Sequence, residues 1–171
     1  MRGKILAAIL GLFILVAFAQ FAIAEMPKEG TGSATTFYSG TFTAVPADKD
    51  HYAVHYSNKG VMVSDDKNSP FNNMSVYHVG TMYFQNGVGR LLGYMTCTDP
   101  EGDKVVIELM ETNSKPAPAP GGNTGTGKFI YGTGKFAGIE GTTEYKRWYV
   151  YPATKDSYQA IGKSKASWKI P

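Results

Sequence analysis

Small or apolar side chains alternate with polar ones near the end of the chain, with the period of two that is typical of a β-strand. In the segment Tyr158–Ile170, every second residue is small or apolar, and the intervening residues include three lysines. The first set is Ala160, Gly162, Ser164, Ala166, Trp168 and Ile170, and the second is Ile161, Lys163, Lys165, Ser167 and Lys169. The pattern predicts a strand with one buried face and one solvated face.

Further strand-like runs precede this segment. Met74–Gln85, Val88–Thr98 and Lys104–Thr112 are separated by the turn signals Asn86-Gly87 and Asp99–Asp103, which predicts an antiparallel meander. A turn at residues 57–60 is expected between two short strands upstream. Runs rich in β-branched and aromatic residues predict the other strands, Thr35–Val45, Tyr52–Tyr56, Val61–Ser64, Thr126–Tyr131, Thr142–Tyr151 and Tyr158–Ile170.

These runs amount to about eight or nine evenly spaced strands with no amphipathic helix, which is typical of an all-β barrel or sandwich. We expect a single closed antiparallel β-barrel of about eight strands over residues 35–171, because closure removes exposed sheet edges. The Pro- and Gly-rich segment 113–125 is not expected to form a strand and is predicted to be a long exposed loop. Residues 25–34 are polar and are predicted to be a flexible lead-in.

The first 24 residues have the order of a secretory signal peptide. Arg2 and Lys4 are followed by an apolar run and then by Ala22-Ile23-Ala24, a small-residue cleavage signal. An uncleaved anchor helix is the alternative, since about 20 apolar residues can span a bilayer. We expect cleavage, a secreted or periplasmic protein, and no membrane span in the mature chain.

Composition and charge exclude several classes of protein. Of the 171 residues, 43% are apolar and 18% are charged, which is unlike a disordered chain. Removal of Arg2 and Lys4 with the signal reduces the net charge from +3 to +1, so no nucleic-acid partner is expected. Cys97 is the only cysteine, so no intramolecular disulfide can form.

The sequence contains no strong metal-binding or nucleophile motif. His51 and His55 are separated by about 13 Å along a strand, too far apart to bind one ion together. Residues 99–103 include three acidic side chains, for which an Asx turn before Pro100 is favoured over a calcium site. Cys97 has the parity of Leu91, Gly93 and Met95 and is expected to face the interior as a small apolar group. We therefore expect no metal and no cofactor.

The segment Gly134–Gly141 is rich in glycine and precedes a predicted strand. Its glycines are expected to allow positive φ or close backbone approach while Phe136 and Ile139 pack between the turns. A phosphate-binding loop is not expected, because such a loop is followed by a helix. Its Gly-Lys-Phe-Ala-Gly-Ile-Glu-Gly sequence resembles a segment of allene oxide cyclase-like and dirigent-like β-barrels, including small secreted bacterial proteins.

The hairpin from Gly93 to Val105 is similar to a second recurrent element of those exported proteins. The resemblance implies a calycin-like barrel, and plant allene oxide cyclases hold their substrate inside the barrel with a few polar groups and an ordered water. No residue of this chain is assigned a family role, because the resemblance does not identify which of its positions would carry the family's polar groups.

The small residues on one face of the last predicted strand suggest a ligand cavity. Small inward side chains leave space inside a barrel, and that space is either filled by larger side chains from the opposite strands or remains as a cavity. The candidate lining residues are His78, Met95, Cys97, Ala160, Ser164 and Trp168. We expect an exported, non-enzymatic protein that binds a small apolar ligand in the barrel interior.

Two alternatives remain open at this point. The protein could be an isomerase or cyclase that uses His78 or Glu108 to move a proton in the barrel. It could be a structural or interaction module of the cell envelope, with the Pro-rich loop and the Lys-rich strand face as its working surface. In either case it could assemble as a homo-oligomer.

Overall fold

The computed structural model describes residues 27–116, 121–150 and 155–171, which form a closed barrel of eight antiparallel strands in sequential order. Within these ranges the only helical element is the 3-10 turn Gly134–Phe136, and no helix is long and apolar enough to cross a membrane. The strands are β1 (Glu29–Pro46), β2 (His51–Ser64), β3 (Met74–Gln85), β4 (Val88–Thr98), β5 (Lys104–Ser114), β6 (Asn123–Gly132), β7 (Glu140–Tyr149) and β8 (Ser157–Lys169).

The barrel closes where β8 pairs with β1, from Glu29 opposite Lys169 to Thr41 opposite Ser157. Strand β1 has 18 residues and pairs along most of its length with β2 as well. Closure pairs the backbones of the first and last strands, which removes the two free edges that an open sheet would have there. The predicted all-β fold, the single closed barrel and its strand number are confirmed.

The meander at the centre of the barrel follows the sequence prediction closely. Strands β3 and β4 have the predicted bounds, and Asn86 and Gly87 between them both have positive φ, at 52° and 76°. This is the conformation that a two-residue hairpin turn requires. The predicted alternation of β8 is also confirmed, with Trp168 buried and Lys163 and Lys165 exposed.

Two predictions near the start of the chain are wrong. Strand β1 begins at Glu29 rather than Thr35, because residues 29–34 pair with the end of β8 instead of forming a flexible lead-in. The turn expected at residues 57–60 is part of the continuous strand β2. Asn58 is buried in the interior, and Gly60 lies so close to the Phe37 carbonyl that a Cβ would collide with it. Asn58 and Gly60 therefore pack within the barrel wall and do not form a turn.

The predicted Pro-rich loop is shorter than expected at both ends. Strand β5 continues to Ser114 and β6 begins at Asn123. The side chain of Asn123 joins the two strands: Lys115 N donates to its Oδ1 at 2.8 Å, and its Nδ2 donates to the Lys115 carbonyl at 3.1 Å. Residues 117–120 lie outside the described residues, as does the predicted signal peptide.

One end of the barrel is filled by an aromatic plug, which we define as Phe71, Phe129, Phe136 and Trp168. The ring of Phe71 stacks on Phe129 and Phe136, with centroids 5.7 and 5.5 Å apart, and meets Trp168 edge-on at 4.9 Å. Phe136 comes from the glycine-rich segment and is completely buried, as expected. The plug closes this end, so a ligand site must lie further along the interior.

Candidate functional site

Beyond the aromatic plug the barrel interior contains a polar layer. We use this term for the inward side chains of Tyr38, Tyr56, Asn58, His78, Glu111, Tyr145, Arg147 and Tyr158. They come from β1, β2, β3, β5, β7 and β8, and each has the inward parity of its strand. Buried polar groups must be hydrogen-bonded to be tolerated. Their partners therefore determine what this layer can do chemically.

A buried ion pair forms one half of the polar layer. Arg147 Nε and Nη2 donate to Glu111 Oε1 and Oε2 at 2.6 and 2.9 Å, and the two residues are 6% and 2% exposed. Tyr145 OH donates to Oε1 at 3.1 Å, and Ser114 Oγ donates to Oε2. Burial opposes the charge on Arg147, but the carboxylate beside it raises the guanidinium pKa above its usual value. The carboxylate thus balances the positive charge of Arg147 inside the barrel.

A β-bulge allows Glu111 and Ser114 to point into the barrel together. Leu91 pairs with Glu111 and Gly89 pairs with Ser114, so β5 has one more residue than β4 over this stretch. Glu111 and Ser114 are three positions apart, and the extra residue of the bulge turns the Ser114 side chain back towards the interior. Without the bulge, Ser114 would face the opposite side of the sheet from Glu111.

A hydrogen-bonded chain forms the other half of the polar layer, and the Asn58 amide sets its direction. Tyr158 OH donates to Asn58 Oδ1, and Asn58 Nδ2 donates to His78 Nδ1 at 3.4 Å. Nδ1 must then be unprotonated, so the neutral ring carries its proton on Nε2 and donates it to Tyr56 OH at 2.8 Å. Burial lowers the His78 pKa to about 3, which keeps the ring neutral.

The tyrosines of the polar layer are also uncharged. Burial raises the pKa of Tyr38, Tyr56, Tyr145 and Tyr158 far above the usual value. The ring of Tyr38 lies beside Gly162, where a Cβ would be 3.6 Å from its Cε1 and OH. The described part of the interior therefore presents neutral donors and acceptors around one internally balanced ion pair.

Between the aromatic plug and the polar layer lies a cavity of about 80 Å³, which we call the inner cavity. Gly162, Ser164 and Ala166 of β8 form one wall, as the small-residue pattern predicted. The remaining wall is largely apolar and includes Met62, Phe71, Met95, Ile107, Leu109, Phe129 and Trp168. For comparison, an engineered apolar cavity of about 150 Å³ binds benzene. The inner cavity thus suits a ligand no larger than a small ring.

The opposite end of the barrel has a wider opening, which we call the mouth cavity, of about 340 Å³. Aromatic rings surround it: Tyr52 stacks on Phe84 at 4.9 Å, and Tyr158 contacts Phe42 and Tyr149 at 6.1 and 5.4 Å. Tyr158 lines the mouth cavity and also belongs to the polar layer, so the two adjoin each other.

The structure brings four of the six candidate residues together. His78, Met95, Ser164 and Trp168 line the inner cavity. Cys97 and Ala160 do not. Cys97 is fully buried beside the plug, where burial raises its thiol pKa to about 12, and Ala160 is buried opposite Tyr38 and Tyr149 in the sheet register. Their inward parity was predicted correctly, but the surrounding side chains leave no space next to them.

Sequence reasoning missed the ion pair and its tyrosine partners. Glu111 continues the inward parity of Val105, Ile107 and Leu109, so a charged residue at an interior position was a visible signal. Glu108, the proton carrier considered for an isomerase, has the other parity and pairs with Lys128 on the outer surface. It is therefore not part of the interior.

The acidic hairpin forms the Asx turn that was predicted. Asp99 Oδ1 accepts hydrogen bonds from the backbone N–H groups of Glu101 and Asp103, both at 2.9 Å. The Lys135 ammonium lies between the carboxylates, 2.6 Å from Asp99 and 3.0 Å from Glu101. The charge that a cation would supply here comes from Lys135. The other histidines lie outside the barrel, His51 beside Asp48 and His55 beside Thr81.

Comparison with known proteins adds one finding about the fold. The chain is similar to the solved structure of the pterocarpan synthase dirigent protein GePTS1, with a TM-score of 0.51 and 11% sequence identity. The match covers 89% of this chain and 96% of that one. No protein-family model and no curated protein matches the sequence. The likeness supports a dirigent-like barrel fold, as the glycine-rich segment had suggested, and at this identity it concerns the fold alone.

Proposed function

We propose that the protein is exported and binds a small, largely apolar ligand in the inner cavity without chemical turnover. The observation that carries this proposal is the inner cavity itself, with small residues on β8 facing apolar side chains across the barrel. Close packing is the rule in protein interiors, so a cavity bordered by Gly162, Ser164 and Ala166 is a departure that a ligand would explain. A dirigent-like barrel also fits a non-catalytic binding role.

The partners of the interior groups favour binding over catalysis. The Glu111 carboxylate already accepts four hydrogen bonds, and Arg147 is committed to it and to Tyr149. His78 is neutral and engaged at both ring nitrogens. A general base needs a free acceptor of suitable pKa within reach of its substrate. The pterocarpan synthesis named for the structural neighbour is not transferred to this chain, since the identity is only 11%.

An isomerase is the second candidate, and His78 is the observation that favours it. Its imidazole lines the inner cavity together with Tyr38. A proton transfer there would use the hydrogen bond between His78 Nε2 and Tyr56 OH. Turnover that is abolished by His78→Gln, while ligand binding is kept, would support this candidate over binding alone.

Native mass spectrometry tests the binding proposal. The protein is recovered from the producing cells without detergent and is measured before and after solvent extraction. We expect a removable, stoichiometric extra mass in the native protein and in Ser167→Leu, because Ser167 is exposed on the outer face of β8. Ala166→Leu should lack it, since the larger side chain would fill the cavity. No extra mass in the native protein, or an undiminished one in Ala166→Leu, contradicts the proposal.

A further inference from the structure

Two hydroxyl groups in the wall of the inner cavity have no hydrogen-bond partner among the described residues. They are Thr36 Oγ1 and Tyr38 OH, which belong to successive inward positions of β1. Tyr38 lies deep in the barrel and Thr36 is 7% exposed, yet both oxygens keep accessible surface. Since both side chains point inward, this surface borders the inner cavity. The two hydroxyls are therefore free to bind a ligand.

Other hydroxyl groups of the cavity wall take part in hydrogen bonds within the protein. They belong to Ser64, Ser69, Thr143, Tyr145 and Ser164. All of them donate to a protein acceptor except Ser69, whose Oγ accepts from Phe71 N at 3.2 Å. Ser33 has the opposite parity to Thr36 on β1, so its side chain faces outward. The inward hydroxyls of β1 thus differ from the rest of the wall.

Gly162 of β8 leaves open space beside these two hydroxyls, opposite Thr36 in the sheet register. A Cβ added to Gly162 would be 3.6 Å from Tyr38 OH and 3.9 Å from Thr36 Cβ, and no heavy atom outside the adjoining residues of the chain would lie closer than 3.6 Å. These are ordinary van der Waals distances, so a ligand atom fits there and touches both residues. We call this space, bordered by Thr36, Tyr38 and Gly162, the hydroxyl niche.

The charges around the hydroxyl niche favour an uncharged ligand. Arg147 lies opposite Gly162 in the sheet register, but its guanidinium is paired with Glu111 through two hydrogen bonds. His78 is kept neutral by burial, which lowers its pKa to about 3. An ionic ligand in the cavity would therefore lack a free counter-charge, and an unpaired buried charge is strongly disfavoured.

The number of hydroxyl protons distinguishes between the neutral oxygen groups that a ligand could offer. Thr36 and Tyr38 contribute one O–H donor each, and a carbonyl oxygen has two lone pairs that can accept both hydrogen bonds. A ligand hydroxyl would add a third proton. Because Thr36 and Tyr38 do not hydrogen-bond each other, one of the three protons would then be left without an acceptor. A carbonyl group is therefore the better match.

We propose that the ligand of the inner cavity is a compact, uncharged carbonyl compound whose oxygen lies in the hydroxyl niche and accepts hydrogen bonds from Tyr38 OH and Thr36 Oγ1. This inference rests on the proposed function and narrows its ligand class. The apolar body of the ligand lies between the hydroxyl niche and the aromatic plug, where the cavity volume of about 80 Å³ limits it to a small ring.

Infrared spectroscopy tests the two donors directly, because each hydrogen bond to a carbonyl oxygen lowers the C=O stretching frequency. The probe is cyclopentanone labelled with carbon-13 at the carbonyl, bound to the solvent-extracted protein. We expect its stretching frequency to be higher in Tyr38→Phe and in Thr36→Val than in wild type, since each variant removes one donor and nearly keeps the shape. Tyr145→Phe is the matched control and should leave the frequency unchanged, because this hydroxyl borders the same cavity but donates to Glu111.

Affinities give a second readout, through the preference for cyclopentanone over its isostere methylenecyclopentane, which lacks the oxygen. The preference should fall about three- to tenfold in Tyr38→Phe and in Thr36→Val and stay unchanged in Tyr145→Phe. Comparing preferences cancels the different hydration of the two probes. Gly162→Ala keeps both hydroxyls but fills the hydroxyl niche with a methyl group, so it should lower the preference as well. Gly162 does not have a positive φ, so alanine is accommodated there.

The outcomes separate this inference from the proposed function. A carbonyl frequency or a preference that is the same in wild type, Tyr38→Phe and Thr36→Val overturns the inference while leaving ligand binding intact; an ordered water held in the niche would give this result. Tighter binding of cyclopentanol than of cyclopentanone would assign the niche to a hydroxyl group and likewise overturn it. If neither cyclopentanone nor methylenecyclopentane shifts the methyl NMR signals of Met62 and Met95, which line the cavity, the proposed function itself fails.

Discussion

Replacing Glu111 by glutamine should destabilise the protein more than any comparable change on the barrel surface. The carboxylate is 2% exposed and accepts hydrogen bonds from Ser114, Tyr145 and two nitrogens of Arg147. Glutamine has nearly the same shape, but it leaves the guanidinium charge buried without a counter-charge and directs an NH₂ group at other donors. Breaking a buried pair in this way costs about 3–5 kcal/mol. With a urea m-value of about 2 kcal/mol/M, the unfolding midpoint should fall by about 1.5–2.5 M.

The assay is urea unfolding followed by tryptophan fluorescence and circular dichroism, with Glu108→Gln as the matched control. Glu108 is on the same strand, but it faces outward and lies opposite Lys128 in the sheet register, so its loss should cost at most about 1 kcal/mol. If Glu111→Gln does not accumulate, the double variant Glu111→Leu/Arg147→Met supplies the test. It removes both charges and should be more stable than Arg147→Met alone. Equal midpoints for Glu111→Gln and Glu108→Gln, or a double variant no more stable than Arg147→Met, would refute the reasoning.

Three further predictions follow from burial and charge. Cys97 is fully buried, and burial raises its thiol pKa to about 12. Iodoacetamide at about pH 8 should therefore leave the thiol of the folded protein unmodified and alkylate it in urea. Rapid alkylation of the folded protein would contradict the burial of Cys97. The NMR resonances of His78 should stay at neutral-imidazole positions down to about pH 5. In the unfolded protein this imidazole binds a proton as the pH falls below 6.5, whereas in the folded protein it does so only near pH 3. The contribution of His78 to the free energy of unfolding therefore falls as the pH drops from 6.5 towards 3. Asp99→Asn should cost about 1–3 kcal/mol at pH 7 by urea unfolding. Burial opposes the charge of Asp99, but hydrogen bonds from Lys135 and the backbone lower its pKa below 3.8, so the difference from wild type should vanish as the pH falls through that lowered pKa; a constant difference would argue against the ion pair.

The errors of the sequence prediction have a common physical origin. Asn58 and Gly60 have the local properties of a turn, and residues 29–34 have those of a flexible terminus. In the barrel, Asn58 finds partners in His78 and Tyr158, which lie 20 and 100 residues away along the chain. Residues 29–34 are ordered by β8, the last strand. Local conformational propensities depend on neighbouring residues, so they could not reveal these distant partners.

The amino-acid sequence alone determined the strand periodicity, the hairpin turns of the meander and the inward face of β8, because each depends on residues a few positions apart. It also indicated the residue types of one cavity wall, through the small side chains between Ala160 and Ala166. Only the tertiary structure decided which side chains meet across the barrel, through the closure of the sheet and the register of its strands. The bulge that turns Ser114 towards Glu111, the pairing of Glu111 with Arg147 and the space beside Ser164 but not beside Ala160 all depend on which distant side chains meet. A shift of one residue in register would turn each of these side chains to the other face.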